Sequence, residues 1–221
     1  MNVSRVWLPP EGKATRLLIL RHGEVNAESR KALYGQLDVE LSERGHAQSA
    51  RTGAALSTQP IEAVYTSDLS RASILGREIA RHHELEPHPD PRLRERHFGH
   101  WQGLLWEHIE TTYPEELKQY SEKRHHMRVP GPSENFPDVR ARLVPFLAEV
   151  LEKHRGQTVA IACHSGPARI LLAEALGLPI DGIFTFEQNY CCLNAIDYFD
   201  TGRVRVQLLN DTHHLGDLFS V

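Results

Sequence analysis

At 221 residues, 40% hydrophobic and 24% charged, the chain has the composition of a globular protein and fits a single domain with an insertion. A formal net charge of −4 excludes a general positive field for nucleic acid or an anionic membrane, so an anionic ligand needs a local cluster of cations. The three cysteines, Cys163, Cys191 and Cys192, lack any disulfide or zinc spacing. They read as buried thiols of a reducing compartment, with Cys191 and Cys192 on opposite faces of a strand.

Residues 1–15 read as a flexible lead without the apolar run of a secretion signal, and residues 16–221 as one folded unit. Leu17-Leu18-Ile19-Leu20 is a short aliphatic run, far too short to span a membrane and suited to a strand buried on both faces. Cytoplasmic location is the default expectation. The run ends in Arg21-His22-Gly23-Glu24, where Gly23 permits a sharp exit from the pleat. Ser42 is positioned to cap a helix whose Ala47, Ala50, Ala54 and Ala55 recur at helical spacing. Ile61 to Tyr65 reads as a second strand, and Ser67, Asp68 or Ser70 can cap a helix reaching about His83. Pro87, Pro89 and Pro91 then hold the chain extended.

Residues 97–132 have weak periodicity and hold Trp101, Trp106 and several histidines, which marks a lid-like insertion over the main layer. From Glu134 to Lys153, Val139, Leu143, Phe146, Leu147 and Val150 form a helical stripe broken by Pro145. Thr158 to Cys163 is another buried strand, followed by His164-Ser165-Gly166 and a helix over Ala168 to Leu176. Leu193–Tyr198 and Val204–Leu209 predict a hairpin about Asp200-Thr201-Gly202. Strands alternating with helices give an α/β fold, a three-layer α/β/α sandwich on a mostly parallel sheet.

Three of these strands end in polar signals: Arg21-His22, Ser67 to Arg71, and His164-Ser165. Open α/β sheets bind ligands at the carboxyl ends of their strands. Two arginines and two histidines would meet there, and an arginine fork matches the oxygens of a phosphate.

The segment from Leu17 to Glu24 resembles the signature of the histidine phosphatase superfamily, which includes the cofactor-dependent phosphoglycerate mutases. Leu41 to Gly45, Tyr65 to Ala72, Leu93 to Gly103 and Cys163 to Gly166 resemble further family blocks in family order, as does the ending Asn210 to Leu215. The resemblance spans roughly Arg16 to Leu215 and rests on several ordered blocks, which a lone Arg-His-Gly could not match in weight. It implies that His22 attacks phosphorus and becomes phosphohistidine, that Arg21, Arg71 and His164 hold the phosphoryl oxygens, and that Glu95 protonates the leaving alcohol. Ser165, Glu28 and Gln36 complete the expected substrate contacts. No metal or other cofactor is called for, because arginines take the electrostatic part that magnesium plays elsewhere.

Glu28 departs from the pattern, standing where many members have asparagine. A carboxylate would repel phosphate there, so Glu28 turns away, reads a cationic or hydroxyl-bearing part of the substrate, or is replaced by Asn26. The expected activity is metal-independent hydrolysis of small phosphate esters, with phosphoglycerate mutase as the alternative and a non-catalytic binding module as the rival from another class. The pairs His82-His83, His125-His126 and His213-His214 lack metal-ligand spacing. Trp101 and Trp106 read as packing for the insertion, and Cys163 as a strand residue rather than a thiol nucleophile. A homodimer is a base-rate expectation.

Overall fold

The computed structural model describes residues 14–26 and 28–219. Its first strand, β1 (Ala14–Arg21), begins within the segment expected as a lead; residues 1–13 lie outside the described residues. Strands β2 (Ile61–Thr66), β3 (His88–Pro89), β4 (Thr158–Cys163), β5 (Leu193–Phe199) and β6 (Val204–Asp211) complete one sheet in the order β3-β2-β4-β1-β5-β6. β3, β2, β4 and β1 run parallel, whereas β5 and β6 form the antiparallel hairpin expected around Asp200 to Gly202.

Side-chain alternation along β1 separates two cores. Leu17 and Ile19 pack with Val139, Leu143, Phe146 and Ile170 from α5 (Phe136–Lys153) and α6 (Ser165–Leu176). Leu18 and Leu20 face the other way, onto Leu56, Leu75 and Ile79 of α1 (Glu43–Leu56) and α2 (Ser70–Ala80). The result is the expected three-layer sandwich. Asn135 and Asp138 form a reciprocal capping box at the start of α5, and Pro145 lies inside that helix.

α1, α2, α5 and α6 lie where the sequence puts them, but the buried face of α1 differs from the alanine stripe. Ala47 and Ala54 are exposed, and Gly45, Gln48, Ser49, Thr52, Gly53 and Leu56 face inward. Ser49 and Thr52 can be buried because each hydroxyl donates 2.8 Å to its own helix, at the Gly45 and Gln48 carbonyls. Gln48 accepts from the Glu24 amide and donates to the Leu218 carbonyl.

α2 also departs from expectation at its start. Its N-cap is Leu69, with no side-chain cap of its own; the Ser70 amide donates 2.8 Å to Asp38, supplied from 32 residues upstream. Asp68 instead binds Arg94 through both oxygens. Gly23 does not occupy a glycine-only backbone conformation. It is needed because a Cβ there would overlap the Gly45 carbonyl, and one on Gly45 would overlap the Glu24 carbonyl, so the two glycines let the β1 exit touch α1.

Residues 97–132 contribute α3 (Trp106–Thr112) and α4 (Pro114–Lys123) around a small core of Trp101, Ile109 and Val129. Trp101 is fully buried and Trp106 is 41% exposed. Arg96, wholly buried, ties this segment down by donating to the carbonyls of Glu134, Arg124 and Met127. Among the described residues no helix is long and apolar enough to cross a membrane.

Candidate active site

β2, β4 and β1 are neighbours, so their carboxyl ends deliver three polar loops to one edge of the sheet. The His22 amide donates to the Cys163 carbonyl at 3.0 Å, and the Ser67 amide to the Ala162 carbonyl at 2.9 Å, which fixes the loops against one another.

His22 is 2% exposed, with its ring centroid 5.1 Å from that of His164 in an edge-on arrangement. His22 Nδ1 lies 2.7 Å from the Gly23 carbonyl oxygen. A carbonyl only accepts, so Nδ1 carries the hydrogen and Nε2 carries the lone pair. Burial, then the charges of Arg71 and Arg21, hold the imidazole well below the ordinary histidine range, outweighing the Gly23 hydrogen bond. Neutral His22 is thereby the resting form.

Arg71, in the first turn of α2, donates to the carbonyls of Leu37 at 2.7 Å and Gly35 at 2.6 Å. Arg21 donates to the Gln188 carbonyl at 2.5 Å, with its guanidinium 4.0 Å from the centroid of the Tyr190 ring. His164 stands at the N-cap position of α6, and its Nε2 lies 2.9 Å from Ser67 Oγ. In the tautomer with its hydrogen on Nδ1, His164 accepts at Nε2 from Ser67 Oγ, which itself accepts from the Leu69 amide at 3.3 Å. Burial, followed by Arg71 and His22, pushes His164 well below its ordinary range as well.

After these bonds are counted, Arg21 Nε, Arg71 Nε and His164 Nδ1 are buried and without a partner. Each orphaned buried donor costs about 1–3 kcal/mol. Their shared address beside His22 describes a cradle for an anion.

Glu95 follows a short helical turn, Pro91–Leu93, and is held at both ends. Its carbonyl accepts from Gln36 at 2.9 Å and Arg142 at 3.1 Å, and its carboxylate accepts from the amides of Arg96 at 2.8 Å and Gly166 at 3.1 Å. Arg142 and Gln36 share Glu134 as a partner. Burial alone would raise Glu134, but the hydrogen bonds and charge of Arg142 outweigh it and hold the carboxyl low. A cavity of about 240 Å³ opens beside Glu95, with Ser165 and Gly166 in its wall.

Arg21, His22, Arg71, Glu95 and His164 are therefore brought together, with Ser165 at the adjoining cavity. Gln36 donates to the Glu95 carbonyl and to Glu134, so its place is behind Glu95. Glu28 is exposed, and its side chain bonds to none of the described residues; Asn26 accepts from the Ser29 amide in a local turn. Tyr190, Gln188 and Arg142 carry no signal in the sequence, and Ser67, expected at a strand end as a helix cap, meets His164 instead.

Cys191 and Cys192 precede β5 rather than lying in it, and Cys191 has φ 51°. All three cysteines are free and buried. Burial pushes Cys191 up to about 12 and Cys192 up to about 11, and raises Cys163 further, so none is a poised nucleophile. Among the described residues, no group of three or more His, Cys, Asp or Glu side chains is arranged to hold a metal ion.

The family described as histidine phosphatase superfamily (branch 1) matches residues 17–212. Phosphoserine phosphatase 1 of Hydrogenobacter thermophilus is 30% identical over 204 residues, covering 92% of this chain and 96% of that protein. Phosphoglycerate mutase-like protein 4 of Arabidopsis thaliana is 32% identical, covering 90% and 86% respectively. Among solved structures, a mycobacterial glucosyl-3-phosphoglycerate phosphatase superposes with a TM-score of 0.81 at 28% identity, covering 90% of this chain and all of that one.

Proposed function

Because the chain belongs to the histidine phosphatase superfamily and is a phosphomonoesterase of that type, we propose that it hydrolyses small phosphate esters through a phosphohistidine on His22. The observation that carries this reading is the set of three orphaned donors, Arg21 Nε, Arg71 Nε and His164 Nδ1, around a neutral imidazole.

In the first step His22 Nε2 forms a bond to phosphorus as the bond from phosphorus to the ester oxygen breaks, and the departing oxygen takes a proton from Glu95. The three donors stabilise the charge on the equatorial oxygens of the phosphoryl group. The Gly23 carbonyl stabilises the Nδ1–H of the modified ring. In the second step water attacks phosphorus, Glu95 accepts its proton, and the bond to Nε2 breaks to regenerate the imidazole.

Gln36 and Arg142 hold the backbone of Glu95, Ser165 lines the approach, and Glu28 lies outside the cradle. Residues 97–132 act as a lid through Phe98 and Tyr120, which stand in the wall of the cavity. Three free buried thiols suit a reducing compartment, which supports a cytoplasmic location. An outermost strand β6 with exposed Val204 and Leu209 suits a homodimer.

Phosphate release from p-nitrophenyl phosphate in the presence of a chelator tests the proposal. Turnover is expected without added metal and is lost in His22→Ala. Undiminished turnover in that variant, a requirement for divalent metal, or transfer between phosphoglycerates in place of hydrolysis would each overturn it.

A further inference from the structure

The cavity beside Glu95 is built differently from the phosphate cradle. Leu33, Tyr34, Phe98, Tyr120, Phe136 and Phe184 stand in its wall. Phe184 meets Phe136 edge-on at 5.4 Å between centroids, so the far side is an aromatic corner. Arg96 stiffens this wall from behind, 4.8 Å from the Phe98 centroid and 5.0 Å from that of Phe136.

Arg169 is the one cation among the described residues of the wall, and it is already engaged. Its Nε donates to Ser165 Oγ at 3.2 Å, one terminal nitrogen donates to the Ile183 and Phe186 carbonyls, and the other pairs with Glu187 at 3.2 Å. The carboxylate of Glu95 shares the cavity. At about 240 Å³, the space suits a leaving group of one or two rings, below the ~300–1,000 Å³ of drug-sized sites.

We propose that this cavity receives the leaving alcohol, and that the preferred substrate is a phosphate ester of an uncharged alcohol with an aromatic or bulky apolar body. The inference rests on the phosphohistidine reading above and adds the class of leaving group. An apolar body loses water against the rings at no electrostatic cost. A carboxylate on the leaving group would lose its hydration against the aromatic wall, with Arg169 already paired with Glu187 and donating to the Ile183 and Phe186 carbonyls. Esters such as phosphoserine and 3-phosphoglycerate carry that carboxylate close to the ester carbon.

The test compares benzyl phosphate with O-phosphoserine and 3-phosphoglycerate, all esters of unactivated alcohols, so leaving-group acidity does not decide the outcome. Benzyl phosphate is expected to have the higher kcat/KM by about tenfold or more, mainly through KM. Phe184→Ala should raise KM for benzyl phosphate about tenfold and leave phosphoserine within twofold, with Phe184→Leu in between. The unmodified enzyme gives a second reading that needs no variant: benzylphosphonate should compete better than 3-phosphonopropionate. Higher kcat/KM for the carboxylate esters, tighter inhibition by the carboxylate phosphonate, or equal losses for all esters in Phe184→Ala would each overturn the assignment of the cavity. Failure to hydrolyse any ester, p-nitrophenyl phosphate included, would instead overturn the phosphatase reading, and this proposal with it.

Discussion

Replacing Gly166 with alanine separates the placement of Glu95 from the stability of the fold. A Cβ on Gly166 would overlap Glu95 Oε1 while standing 3.3 Å from Cδ and 3.4 Å from Phe136 Cε1. The overlapped atom is the end of a flexible side chain, so the carboxylate moves and the backbone of α6 does not. Reaching ordinary contact requires a shift of about 1 Å, and the 3.1 Å hydrogen bond from the Gly166 amide is strained or lost. Exchanging Gly for Ala in a helix gains up to about 1 kcal/mol, which offsets the roughly 1 kcal/mol lost with the hydrogen bond. The melting temperature should therefore stay within about 3 °C. Activity should not. A displacement of this size costs about 100-fold in kcat for an alkyl ester that needs a proton on its leaving oxygen. For p-nitrophenyl phosphate, whose leaving group needs little protonation, the loss should be below about tenfold. Steady-state kinetics on both esters, alongside thermal unfolding, gives the answer. Unchanged alkyl-ester turnover, or equal losses on both esters, would refute the placement of Glu95 as the acid.

Three further outcomes follow from the same geometry. His22 and His164 are held neutral in the folded protein and bind protons once unfolded, so the unfolded state takes up protons as the pH falls below about 6.5. Stability is fully present above that value and is lost below it, by about 1.4 kcal/mol per pH unit for each group. Denaturant unfolding between pH 7.5 and 5 should show this slope, and a flat profile would contradict it. Ser67→Ala leaves His164 Nε2 without its buried partner. It should lower stability by about 1–3 kcal/mol and weaken inhibition by inorganic phosphate, while Ser67→Thr restores both. Asp38→Ala removes the cap of α2 and should cost about 1 kcal/mol in urea unfolding, with a higher KM because the loop binding Arg71 is loosened.

The layers of this fold were legible because buried strands need continuous apolar runs and their helices need apolar stripes. Thr158–Cys163 and the α5 stripe from Val139 to Val150 appear as read. The α1 face was misread because hydroxyls on a helix can satisfy themselves at the preceding turn, so Ser49 and Thr52 enter a core that hydrophobic spacing assigns to alanines. The α2 cap was invisible because its partner, Asp38, is remote in sequence. At the site, Arg21, His22, Arg71 and His164 announce themselves at strand ends, whereas Tyr190 and Gln188 reach Arg21 from a connecting segment without a pattern. Gly23 shows the same lesson in the backbone, since its reason is contact with Gly45 and not a local turn.

The central claim is that Nε2 of His22 carries the phosphoryl group between the two steps. Rapid mixing with p-nitrophenyl phosphate, an alkaline quench that preserves phosphohistidine, and mass mapping of the peptide containing Arg21 and His22 test it directly. The account predicts a phosphoryl group on His22 that appears within one turnover, decays as inorganic phosphate is released, and is absent from His22→Ala. A phosphoryl group on another residue, or full turnover by an enzyme in which His22 is never modified, would contradict it.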